Sequence, residues 1–199
     1  MDKELRILIL DDVPADAELE EHELRKAGLV FTSKVVDTKE VFLKELDEFL
    51  PDLILSDYEL PTFDGLAALR ISKERCPDVP FILVTGKLGE EFAIEKLKEG
   101  ATDYVLKNNL KRLVPSVKRA LEEAKLITDR KRAEEELKKE GWEKRFTIDE
   151  PRLSEMVEQY KELGFEVLLE PVDTSSEECT TCITAFHDRY KTIYTRQRR

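Results

Sequence analysis

In the stretch PDLILSDYELPTFDG, residues 51–65, a short apolar run, Leu53–Leu55, gives way to an acid at Asp57. The pattern recurs. The run LRILIL closes on Asp11 and Asp12, PFILVT closes on Thr85 and Gly86, and TDYVL closes on Lys107. Three carboxylates brought together repel one another and raise each other's pKa. A divalent cation removes that conflict, and an all-oxygen donor set suits Mg²⁺, which keeps waters and accepts a phosphate oxygen. Asp57 can then act as a nucleophile toward phosphorus, forming an aspartyl phosphate. Mg²⁺ and Lys107 would spread the charge of the transferring group, Thr85 would bond a phosphoryl oxygen, and Gly86 would keep the space beside it open. Any one of these residues alone reads equally well as a solvated loop charge or a helix cap. Only together, from four separate strand ends, do they point to this chemistry.

Such a set needs strands that all end on one side. The N-terminal part alternates expected strands (5–10, 30–36, 52–56, 80–85, 102–106) with segments of helical spacing (15–28, 38–50, 65–76, 89–100, then from Lys111). Gly28, Pro51, Pro77 and Gly100 supply the stops. Strands alternating with helices imply parallel pairing through right-handed crossovers, with both sheet faces covered. In such sheets reactive groups gather beyond the carboxyl ends of the strands.

Composition limits the alternatives. A chain of 199 residues with 41% hydrophobic content can bury a core. A net charge of -11 argues against nucleic acid as a main partner, since phosphate neutralisation needs a basic face; the terminal RQRR is the local exception. No apolar run reaches the length of a membrane span. Three cysteines do not make a secreted disulfide framework, and the expected location is cytoplasmic. His22, on a charged helix, and Cys76, before Pro77, read as a surface residue and a structural thiol.

LILDD, LILSDYELPTFDG, ILVTG and GATDYVLK stand in the order and spacing of a receiver domain, and residues 5 to about 126 resemble the receiver of two-component response regulators. The resemblance implies a flavodoxin-like five-stranded parallel α/β sheet of order 2-1-3-4-5. It implies Asp57 as phosphoacceptor, Mg²⁺ held by Asp11, Asp12, Asp57 and the Glu59 backbone carbonyl, and Thr85 and Lys107 as readers of the phosphoryl group. It also implies that a histidine kinase or phosphotransfer protein is the donor. Tyr104 matches the aromatic that turns inward as Thr85 moves, altering the face around the fifth strand and its flanking helices. From the residues alone Tyr104 is an ordinary strand residue. Two departures stand out. Asn108 and Asn109 follow Lys107 where many relatives have a proline in a cis bond, so the turn must be made otherwise. Glu59 and Lys87 flank the site entrance and either pair across it, hindering the water that hydrolyses the acyl phosphate, or are two unpaired surface charges.

The expected organisation is a receiver over 1–126, a connecting helix over 127–144 and a small β-α-β-β unit over 145–199. The stretch KRLVPSVKRALEEAKLITDRKRAEEELKKE is charged at spacings of three and four, with a thin apolar seam. It fits either a homodimeric coiled coil through residues 117–140 or a solvated connector. In the last unit Asp149 is the expected cap of a helix that runs to Gly164. Cys179, Cys182 and His187 have the spacing of a zinc knuckle that is short of a fourth ligand, of a redox pair, or of inert thiols. Three functions follow: a phosphorylation switch with no turnover of its own; a metal- or redox-responsive adaptor sensing through that loop; and a phosphatase with an aspartate nucleophile. The spacing of Thr85 and Lys107 and the lack of a substrate cap disfavour the last.

Overall fold

A computed structural model describes residues 4–61, 63–86, 100–172 and 189–197. The chain divides into two compact units, Met1–Asp129 and Arg130–Arg199.

The first unit holds five parallel strands, β1 (Leu5–Leu10), β2 (Phe31–Val36), β3 (Leu53–Ser56), β4 (Phe81–Thr85) and β5 (Asp103–Leu106), in the order β2-β1-β3-β4-β5. The flavodoxin-like order expected from the resemblance is the observed one. β1, β3 and β4 lie inside the sheet, and nearly all of their side chains are buried on both faces. That is why they read as unbroken apolar runs rather than as alternation. One core, including Ile7, Ile9, Leu53, Leu55 and Val84, takes in α1 (Pro14–Lys26) and the start of α4 (Leu113–Lys139). The other, including Leu8, Leu10, Ile54 and Leu83, takes in α2 (Lys39–Glu48) and α3 (Gly65–Arg75). The helix expected over 89–100 lies outside the described residues.

Helix ends differ from the sequence expectation in instructive ways. α2 stops at Glu48, and Leu50 adopts a left-handed φ of +50° before Pro51, whose ring disfavours helical dihedrals in the preceding residue. After Lys107 the chain enters a 3-10 turn, Lys107–Arg112, in which Asn109 leaves helical dihedrals (φ -138°, ψ 54°). This is how the chain turns without a proline.

In the second unit an antiparallel sheet is ordered β6 (Glu143–Ile148), β8 (Lys191–Gln197), β7 (Phe165–Pro171). α5 (Arg152–Glu162) packs against β7 and β8. The cap expected at Asp149 is a correction: Pro151 occupies the N-cap position, and the Glu150 carboxylate reaches the Ser154 amide and hydroxyl. Ile193, Tyr194 and Thr195 are buried in the central strand, and the Thr192 hydroxyl lies 2.9 Å from that of Thr147.

Candidate functional site

The ladder of the first sheet carries the acids with it. The Asp11 amide donates to Val36 O at 3.0 Å, and the Asp57 amide donates to Leu10 O at 2.8 Å, each one step beyond its strand. Both backbones are therefore clamped, and both carboxylates project from the same sheet end. Each of Asp11, Asp12 and Asp57 offers an oxygen within 4.8 Å of the others'. Asp11 and Asp57 are buried, and Asp12 is exposed. Such an oxygen-only, mutually repelling set fits Mg²⁺.

Lys107 ties the set together. Its Nζ donates to Asp11 Oδ2 at 2.8 Å, Asp57 Oδ2 at 2.7 Å and Asp16 Oδ2 at 2.7 Å. Burial pulls the Lys107 pKa down, but the hydrogen bonds to Asp11, Asp16 and Asp57 outweigh it and hold the ammonium above the ordinary lysine range. Burial raises the Asp11 pKa, against the hydrogen bonds from Lys107 and the Val13 amide. Asp57 Oδ1 is held from its own loop, accepting from the Tyr58 amide at 2.6 Å and the Glu59 amide at 3.3 Å.

The remaining predicted residues fall into three groups. Thr85 is buried at the end of β4, in register with Leu106 and so beside Lys107. A Cβ on Gly86 would meet no described atom within 4 Å. Tyr104 is half-buried on β5 with the Arg112 guanidinium 5.8 Å from its ring centroid, and its amide donates to Asp103 Oδ1. Lys87, and with it the Glu59–Lys87 pair, lies outside the described residues, as do Cys179, Cys182 and His187.

Three residues that matter here were not singled out from the sequence. Asp16 is the third partner of Lys107. Glu20, one helical turn further along α1, is 2% exposed, and its Oε2 has no hydrogen-bond partner among the described residues. Burial, helped by the nearby charge of Asp11, pushes its pKa well up. An acid on the stripe Ala17–Glu20–Leu24, at helical spacing between two buried apolar residues, was the available signal. The third is Gly65. A Cβ there would overlap the Asp57 carbonyl oxygen and come within 2.9 Å of Tyr58 Cα. Only glycine lets α3 start so close to the acid, with Asp64 Oδ1 capping the Leu66 amide at 3.0 Å.

Comparison with known proteins agrees with this geometry. A family model described as the response regulator receiver domain matches residues 7–118. Among curated proteins, the transcriptional regulatory protein BaeR of Escherichia coli is 32% identical over 147 residues, covering 74% of this chain and 58% of the relative. The DNA-binding transcriptional regulator NtrC of Proteus hauseri is 40% identical over 65 residues, covering 33% of this chain and 14% of NtrC. The chain thus spans less than two thirds of the length of either relative. Among solved structures, a CheY-like receiver domain from Methanospirillum hungatei superposes with a TM-score of 0.55 at 27% identity, covering 62% of this chain and 98% of that one. The BeF3-activated DrrB receiver domain gives 0.53 at 30% identity, covering 60% and 99%.

Proposed function

This chain belongs to the response regulator receiver family of two-component signalling, and from that premise we propose that it accepts a phosphoryl group on Asp57 from a histidine kinase or phosphotransfer protein. A carboxylate oxygen of Asp57 attacks phosphorus; an O–P bond forms, and the P–N bond to the donor imidazole breaks with its electron pair leaving on nitrogen. Asp11, Asp12 and Asp57, with the Glu59 carbonyl, would hold Mg²⁺, which supplies neutralising charge to the transferring group when bound. Lys107 brings an ammonium to the same oxygens, and Thr85 a hydroxyl. Tyr104 is the switch aromatic whose position couples the site to the outer face. The chain is a switch rather than a turnover enzyme.

The observation that carries this proposal is the hydrogen bonding of Lys107 to both Asp57 and Asp11 from separate strand ends. Incubation with Mg²⁺ and acetyl phosphate, followed by intact-mass measurement, tests it. One added phosphoryl group is expected, and none in Asp57→Asn. No adduct in either protein overturns the proposal.

Output is proposed to be contact with a protein partner. The relatives above are named as transcriptional or DNA-binding regulators, so duplex DNA is the competing partner, and a salt-sensitive mobility shift would favour it. Self-association through residues 117–140 belongs to the same proposal: Leu126 (66% exposed) and Ile127 remain open on α4, and light scattering against concentration checks it. Among the described residues no helix is long and apolar enough to cross a membrane.

A further inference from the structure

An ammonium has three protons to donate. Those of Lys107 meet three carboxylates, Asp11, Asp16 and Asp57, so an incoming phosphoryl oxygen must displace one of them. Resting on the phosphoacceptor proposal, we propose that Asp16 is a positioning residue that competes with the phosphoryl group for Lys107, and so sets how tightly the pocket holds that group.

The three acceptors are not equivalent. Asp57 surrenders its charge on becoming an acyl phosphate and thereby releases one proton of Lys107. Asp11 belongs to the metal-binding set with Asp12. Asp16 has neither fate and keeps drawing on the lysine after the transfer. Its place is fixed by α1, which starts at Pro14 and buries the adjacent Ala17, so the carboxylate faces Lys107 from the first turn. Glu20 cannot substitute for it. That side chain is buried one turn further on, without a partner for Oε2 among the described residues, and burial favours its neutral form. Asp16 therefore lowers the positive charge available to a dianion and adds a negative charge beside it.

The test uses the full chain in saturating Mg²⁺, titrated with beryllofluoride as a stable phosphoryl mimic and read by 19F NMR. Asp16→Asn keeps the shape of the side chain and removes its charge; because Asp16 is partly exposed, the expected gain in affinity is only about tenfold. Asp16→Glu, which restores the charge, and Glu18→Gln, which removes one from the solvent side of the same helix, should both stay within about twofold of wild type. With Lys107→Ala in the background, the effect of Asp16→Asn should shrink to the direct repulsion between Asp16 and the bound anion. Unchanged or weaker binding in Asp16→Asn, beside a wild type that binds, overturns this inference alone. A wild type that neither binds beryllofluoride nor takes a phosphoryl group overturns the phosphoacceptor proposal, and this inference with it.

Discussion

In the first unit the charged side chains at the strand ends gather around one lysine; in the second, the arginines on the sheet are each given a carboxylate and an aromatic ring. Lys107 serves three aspartates, with Asp12 and Glu20 as further acids close by. Arg196, by contrast, bonds Glu166 at 2.6 Å and stacks 4.4 Å from the Trp142 ring centroid. Arg145 pairs with Glu143, donates to the Thr195 hydroxyl, and lies about 6 Å from the rings of Tyr160 and Phe165. The first arrangement leaves an excess of negative charge that another group must answer. In the second, Arg145 and Arg196 are each paired locally. A small antiparallel sheet has little apolar area to bury, and the stems of its arginines add to the packing against these rings.

Substitutions can break that contrast, in decreasing order of effect. Ile193→Ala empties the centre of β8, where the side chain is fully buried, and should cost about 2–5 kcal/mol. Hydrogen exchange should then rise in peptides from the second sheet and leave β1 to β5 protected; a uniform rise would contradict two separate cores. Gly65→Ala should destabilise the first unit by about 1–3 kcal/mol, since backbone must move to admit the methyl group. Phosphoryl uptake should fall with it, and a variant of normal stability and uptake would show that α3 is not bound to its position. Arg196→Ala should lower the urea midpoint by the equivalent of about 1 kcal/mol, because the ion pair is half-exposed and the ring contact is a single one.

Glu20→Gln gives a change whose size and sign depend on pH. The folded pKa of Glu20 is raised, so its contribution to stability is complete below the ordinary value of 4.5 and is lost as pH rises through the folded pKa. Without added metal, wild type should lose stability over that rise relative to the variant. Parallel melting curves across the window would show that Glu20 carries no burden.

The strand ends were legible because parallel strands buried on both faces are runs with sharp limits, and the limits fell on Asp11, Asp57, Thr85 and Lys107. Asp16 and Glu20 were not, since on a helix rich in Glu an inward acid looks like its outward neighbours until the buried stripe through Ala17 and Leu24 is traced. Gly65 escaped for another reason. Its role is a clearance between backbones, which no pattern of polarity encodes. In the second unit the strands and the helix could be placed from their periodicity, but the Glu150–Ser154 contact, which stands where a cap at Asp149 was expected, depends on how the chain enters α5.

The amides of Asp11 and Asp57 are rungs of the sheet, bonded to Val36 and Leu10. Their hydrogens should exchange with solvent only when the sheet itself opens, although the side chains a bond or two away sit at its edge. Charge can thus be redistributed over these carboxylates while the main chain beneath them stays as still as the core.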